Sequence, residues 1–329
     1  MQTRTLGATG PTVSALGLGA MGMSGAYGPA DREESVATVH AALDAGLTLI
    51  DTGDFYASGH NELLLAEALR GRQRDSYQLS VKFGMLTAPD GGFIGIDGRP
   101  EGMKNFLAHS LTRLGTDHVD VYRLARLDPA VPIEETVGAV KEMVDAGYVR
   151  HIGLSEVDAD TVRRAHAVHP ISDLQIEYSL LSRSPEADVL PTLRELGVGM
   201  TAHGVLSRGL LSGHWRADST IGPADWRSFD PRFADGNVEH NLTLVEALRR
   251  VAGAKGCTVA QLAIAWVAAQ GDDIVPLVGA RSRDRLAEAL PATEVHLTVD
   301  DLAEIEKAVP DRAARGSLDA SAALSEILG

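Results

Sequence analysis

The chain has 329 residues, with 30 lysines and arginines against 45 aspartates and glutamates, a formal charge of −15. That acidic excess argues against sequence-independent nucleic-acid binding and adhesion to anionic membranes, so an anionic ligand needs a local basic cluster. One cysteine, Cys257, leaves no disulfide framework or thiolate metal centre, and no apolar run approaches membrane length, so the expectation is a cytoplasmic protein with no membrane span.

Thr3–Gly7 and Thr12–Leu16 flank the turn Ala8-Thr9-Gly10-Pro11 and read as a β-hairpin closing one end of the structure. From Ser14 onward, short apolar runs alternate with helical patterns. Leu16–Ala20 precedes Arg32–Gly46, Thr48–Thr52 precedes Asn61–Gly71, and Gln78–Phe83 precedes Glu101–Gly115. Val119–Leu124 then leads to Ile133–Gly147, Val149–Leu154 to Asp160–His169, and Leu174–Leu180 to Glu186–Gly197. Val198–Val205 reaches Leu242–Lys255 after a long insertion, and Ile274–Val278 reaches Arg281–Leu290. Helices ending at Gly46, Gly147 and Gly197 have the residue that most easily closes a last turn with positive φ.

Eight consecutive βα units imply parallel strands with right-handed crossovers, and eight is the number that closes a barrel. The fold expected is an α/β (β/α)8 TIM barrel, a single domain over residues 1–329, with extra helices at Thr258–Gln270 and Thr298–Val309. Gly17-Leu18-Gly19-Ala20-Met21-Gly22 fits the dinucleotide fingerprint G-x-G-x-x-G. The context does not: Tyr27-Gly28-Pro29 intervenes before the helix, and Val39-His40-Ala41-Ala42 stands where an acidic residue belongs. These glycines suit a first strand whose end passes beneath a ligand.

Asp51, Tyr56 and Lys82 fall where apolar runs give way to Gly-containing loops, so they should converge on one rim of the barrel. A phenol normally ionises near pH ~10, and an adjacent ammonium draws that value down. Tyr56 beside Lys82 would then be a usable acid, with Asp51 holding the lysine charged and in place.

Leu6-Gly7, Ile50-Asp51-Thr52 through Tyr56, Lys82-Phe83-Gly84, Gly153-Leu154-Ser155, Gln175 with Glu177-Tyr178-Ser179, and Leu206 through Gly213 occur here in one order. In this the chain resembles the aldo-keto reductases across nearly its whole length, most of all the bacterial branch shared with potassium-channel β-subunits. The resemblance implies an NADPH-dependent barrel reducing small-molecule carbonyls, with Tyr56 as proton donor, Lys82 lowering its pKa and Asp51 anchoring Lys82. The family's catalytic histidine would stand at position 125, but the run is Tyr122-Arg123-Leu124-Ala125-Arg126. Losing such a donor costs roughly 3–4 kcal/mol of barrier. Alternation along the strand sends Arg123 inward below Ala125, where it either replaces the histidine or pairs with a buried carboxylate such as Asp51; Arg126 should face the outer layer.

For the cofactor, the resemblance places Gly19, Met21, Asp51, Ser155, Gln175, His203, Gly204, Leu206, Ser207, Gly209 and Gly279 around the dinucleotide. Ser155 and Gln175 would hold the nicotinamide amide, with Glu156 where the family has Asn. His203 stands in place of the aromatic that stacks on the ring, or else is a rim histidine bonded to backbone. Arg281 and Arg285 match the 2′-phosphate ligands and favour NADPH, and Glu288 resembles the adenine contact. The glycine turn and arginines of Gly279–Arg285 also make an anion site in an acidic protein.

The aromatic-rich insertion Ser212–Asn241 reads as a cofactor clamp and substrate wall, and Met21, Met23, Tyr27, Phe55 and Met85 as an apolar pocket at the same rim. Carbonyl reduction is the function expected. An NADPH-binding sensor with vestigial catalysis is the alternative, suggested by Ala125; subunit number is left open.

Overall fold

In the computed structural model, which describes residues 1–216, 218–222 and 225–316, β1 (Thr3–Thr5) and β2 (Thr12–Ser14) pair antiparallel with Thr3 opposite Ser14. Leu6, wholly buried, packs with Val13, Leu49, Val275 and Leu277. Gly7 takes a φ of 63°, and a Cβ there would lie 2.5 Å from the Ser172 carbonyl oxygen, so only glycine seats the hairpin this closely. The end of the barrel where the strands begin is thereby plugged.

β3 (Gly17–Gly19), β4 (Leu49–Gly53) and β5 (Gln78–Phe83) come next, then a short antiparallel pair, β6 (Met85–Thr87) and β7 (Phe93–Ile96). β8 (Val119–Leu124), β9 (Val149–Ser155), β10 (Ile171–Glu177), β11 (Gly199–His203) and β12 (Ile274–Gly279) follow. Apart from β6 and β7, the strands from β3 to β12 form a closed barrel of eight, each parallel to the next, and β12 returns to β3 with Leu277 opposite Gly17. The expected TIM barrel is the observed fold.

Outside the strands lie α1 (Arg32–Asp44), α2 (His60–Leu69), α3 (Pro100–Leu114), α4 (Ile133–Asp145), α5 (Ala159–Val168) and α6 (Val189–Leu196). α7 (Asn237–Lys255), α8 (Val259–Ala268), α9 (Arg283–Ala289) and α10 (Val299–Ala308) complete the shell. Their ends are set locally. Asp31 Oδ1 accepts from the Glu34 amide at 2.8 Å and Asp158 Oδ1 from that of Thr161 at 2.8 Å, caps worth about 1 kcal/mol each. Gly197, with φ 68°, closes α6 as its position predicts. No single described helix is long and apolar enough to cross a membrane.

The elements depart from the sequence reading in several places: α7 begins at Asn237 and not at the predicted Leu242, and α6 at Val189 and not at Glu186. β10 begins at Ile171, three residues before the predicted Leu174, because Ser172 and Asp173 turn polar side chains into the barrel interior and hide the apolar run. The β6–β7 hairpin was not predicted, since its strands are short and Pro89, Gly91 and Gly92 between them read as loop.

Candidate active site

The strand ends opposite the plug bring together the residues singled out in the sequence. Asp51 near the end of β4 and Lys82 near the end of β5 are each 4 % exposed and form an ion pair. The second Asp51 oxygen accepts from Ser80 Oγ at 2.8 Å and from Gln175 Nε2 at 2.7 Å. Burial works against the charged carboxylate, but the Lys82 and Arg123 charges and these hydrogen bonds outweigh it and hold Asp51 below the usual range. Burial lowers the Lys82 pKa, opposed by Asp51.

Tyr56 sits in the β4–α2 loop, its amide donating to the Gly53 carbonyl at 3.1 Å. Ala57, Ser58 and Gly59 then take φ values of 48°, 51° and 91°, a tight reversal that returns the chain to α2. Gly53 leaves room for the ring, since a Cβ there would lie 3.3 Å from Tyr56 Cε1. The half-buried phenol ring packs against the ammonium, with Lys82 Nζ 5.1 Å from the ring centroid. The expectation that Lys82 draws the phenol toward neutrality needs correction. Burial first, then the Asp51 charge and Tyr27, push Tyr56 well above its ordinary value, while Arg126 and Arg123 pull it back. The lysine's charge is spent on Asp51 and lies over the ring face.

Arg123 stands below this layer and is 0 % exposed. Nη1 and Nη2 donate to Asp173 Oδ2 and Oδ1 at 2.9 and 3.2 Å, and Nη2 also reaches Ser80 Oγ at 3.0 Å. Thr201 Oγ1 donates to the same Asp173 at 2.6 Å. Of the two roles open to it, the guanidinium takes the pairing one, with Asp173 rather than Asp51, and a fully enclosed side chain cannot rise to meet a substrate. Ser80, accepting from Arg123 and donating to Asp51, joins this network to the Asp51–Lys82 pair.

On the cofactor side, Ser155 and Gln175 close β9 and lie in β10 as neighbours, Gln175 opposite Ser155. Glu156, at φ 52°, turns its carboxylate to His203 Nε2 and accepts from the Glu177 amide at 2.8 Å. Burial opposes its charge, but the His203 hydrogen bond and charge win, and its pKa falls to about 2. His203 is therefore bonded to a carboxylate, not to backbone. Past β11, Ser207, Arg208 and Gly209 take φ values of 44°, 52° and 103°, and Gly204 sits where a Cβ would meet Glu177 Cγ at 2.9 Å. Two non-glycine residues in the left-handed region cost roughly 1–3 kcal/mol each, a strain typical of ligand-binding loops. Leu206 precedes them, and Met21 opens the turn after Gly19, which lies beside Gly279 in the sheet.

After β12, Arg281 Nη1 donates to the Tyr27 carbonyl at 2.9 Å, bridging to the β3–α1 loop. Arg285 lies 3.1 Å from Glu288, which also takes His214 Nε2 at 2.8 Å. Arg283 is likewise paired, with Glu34 at 2.7 Å.

The sequence reading missed Phe93, which joins an aromatic line at this rim. Tyr56 and Phe55 meet edge to face at 4.9 Å, Phe55 meets Phe93 of β7 at 6.0 Å, and Phe93 meets Trp226 of the insertion at 5.3 Å. This aromatic line runs outward from the phenol. Met23, 2 % exposed, belongs to the hydrophobic core and not to the rim pocket. The insertion is pinned by the Trp226 amide on the Ala26 carbonyl at 3.1 Å and by wholly buried Arg232 on Glu177 at 2.6 Å. Arg126, expected to face outward, folds back: its Nη1 donates to the Ala125 carbonyl at 2.7 Å, and its charge bears on Tyr56, Lys82 and Glu156.

A parallel eight-stranded barrel gathers this Asp, Tyr and Lys at its open end, an arrangement that suits an oxidoreductase. The chain belongs to the aldo/keto reductase family, whose model matches residues 15–310. It is 39 % identical over 313 residues to the Probable aldo-keto reductase 1 of Glycine max, covering 94 % of this chain and 89 % of that one. Its structure resembles that of the glycerol dehydrogenase AKR11B4 from Gluconobacter oxydans with a TM-score of 0.86, at 27 % identity, covering 96 % and 97 % of the two chains. It also resembles the thermostable aldo-keto reductase Tm1743, solved in complex with the inhibitor epalrestat, with a TM-score of 0.75 at 27 % identity, covering 94 % and 100 %.

Proposed function

We propose that this protein uses NADPH to reduce aldehyde or ketone carbonyls to alcohols, with Tyr56 as the proton donor. The observation that carries the proposal is the Tyr56 phenol packed on a buried Lys82–Asp51 pair at the open end of the barrel. A bound reduced nicotinamide would supply a hydride to the carbonyl carbon. As the carbonyl electron pair collects on oxygen, Tyr56 releases its phenolic proton to that atom. Lys82, kept charged by Asp51, packs on the ring and holds it in place, and the Arg126 and Arg123 charges offset the resulting phenolate. The Ser155 hydroxyl and the Gln175 amide oxygen suit a carboxamide, since Gln175 Nε2 is already given to Asp51. The line of Phe55, Phe93 and Trp226 supplies an apolar wall, which suits carbonyls carrying aromatic or aliphatic groups.

The test is to mix the protein with NADPH and a panel of aromatic aldehydes, dicarbonyls and pyridoxal, and to follow loss of the reduced-nicotinamide absorbance. Oxidation by at least one acceptor is expected. Tight NADPH binding without turnover on any acceptor would favour a cofactor-binding sensor, the reading that the missing donor at Ala125 suggests.

Arg281 and Arg285 are assigned to the 2′-phosphate. A charge-assisted hydrogen bond is worth about 1.5–3 kcal/mol, so Arg281→Ala should weaken NADPH binding by roughly 10–100-fold while barely moving NADH. Titrating both cofactors against the quenching of tryptophan fluorescence checks this; equal losses for the two would remove the assignment.

A further inference from the structure

We propose that Arg126 supplies the missing donor: its guanidinium gives a charged hydrogen bond to the carbonyl oxygen that Tyr56 protonates. The proposal rests on the reductase reading above. Ala125 is 1 % exposed and offers no polar side chain, and Arg123 is committed to Asp173 beneath it. The next residue is the nearest along the strand end that can serve. Arg126 lies past the last residue of β8, where the chain bends and strand alternation no longer fixes direction. Its Nη1 bond to the Ala125 carbonyl, 2.7 Å, curls the half-buried side chain back over the end of its own strand.

No carboxylate oxygen lies within 4.0 Å of Arg126 among the described residues, whereas Arg123, Arg208, Arg227 and Arg232 are each paired with one. The Ala125 amide donates to the Phe83 carbonyl at 2.8 Å, which sets Arg126 beside the end of β5 that carries Lys82, and its charge bears on the Tyr56 phenol and the Lys82 ammonium together. A guanidinium has five donors, and one bond to Ala125 leaves others for an incoming oxygen. An oxygen accepting from both Tyr56 and Arg126 would be stabilised as its charge grows, the task of an oxyanion hole.

The experiment compares wild type with Arg126→Leu and Arg126→Lys, after thermal melts establish that each is folded. Benzoate, a carboxylate that mimics the charged oxygen, is titrated calorimetrically with and without NADP⁺, and turnover is measured on a neutral aromatic aldehyde. Arg126→Leu is expected to weaken benzoate binding by at least about 10-fold and to lower kcat by roughly 100–1,000-fold, with NADPH affinity within about two-fold. Arg126→Lys should recover part of both. Unchanged benzoate affinity and kcat in the leucine variant, or no benzoate binding by wild type, overturns the proposal. So does a loss confined to KM for carbonyls bearing their own carboxylate, which would make Arg126 a binder of substrate anions. If wild type turns over no carbonyl but loses benzoate when Arg126 is removed, the reductase reading falls and the oxyanion site stands.

Discussion

Changing Tyr56 to phenylalanine is expected to lower carbonyl turnover by about 100–10,000-fold, the range that a positioned general acid contributes. The ring would still pack on Lys82 and Phe55. Stability and NADPH affinity should therefore be nearly unchanged. Because burial and the Asp51 charge raise the phenol's pKa, Tyr56 keeps its proton through neutral pH and beyond. Reduction, which needs the protonated phenol, should then show no alkaline fall below about pH 10. Alcohol oxidation needs the phenolate and should rise with pH over the same range. Steady-state kinetics in both directions, together with a cofactor titration, decide the matter; a phenylalanine variant retaining more than a tenth of the rate would remove Tyr56 from the role.

Asp173→Ala should be the most destabilising single change in the barrel interior, by about 3–5 kcal/mol, because it strands the Arg123 guanidinium without a counter-charge in a fully enclosed site. Arg123 already has one nitrogen, Nε, without a partner. The loss should also reach the catalytic layer, since Ser80 bonds both Arg123 and Asp51. Removing both charges with an apolar pair, Arg123→Met with Asp173→Leu, should restore much of the stability, because the desolvation cost leaves with the ions. Urea denaturation of the two variants gives the comparison. A double variant as unstable as Asp173→Ala would mean that the pair itself, and not the stranded charge, sets the loss.

The barrel was legible because its strands and helices bury opposite patterns. β8 and α4 were expected to begin at Val119 and Ile133 and do so, since Val119, Val121 and Tyr122 make a short buried run in β8 while Ile133, Val137 and Val140 recur at helical spacing in α4. The Asp51, Tyr56 and Lys82 convergence was legible for a related reason: once strand ends are placed, parallel topology puts them on one rim. Arg123 and Asp173 were not legible as a pair. They lie on β8 and β10, which are not neighbours, and meet only because Gly153 of β9 has no side chain; a Cβ there would lie 3.0 Å from each. No local pattern reports a contact across an intervening strand. Arg126 was misplaced because alternation was carried past the residue where the strand stops.

With the β1–β2 hairpin seated under the barrel by Leu6 and Gly7, the cylinder has a single doorway. A dinucleotide stretched from Ser155 to Arg281 would occupy the floor of that doorway, and a carbonyl compound arriving afterwards would settle above it. On the proposed reading the alcohol would have to leave before the spent dinucleotide, whose own way out would pass the Arg281 bridge to Tyr27.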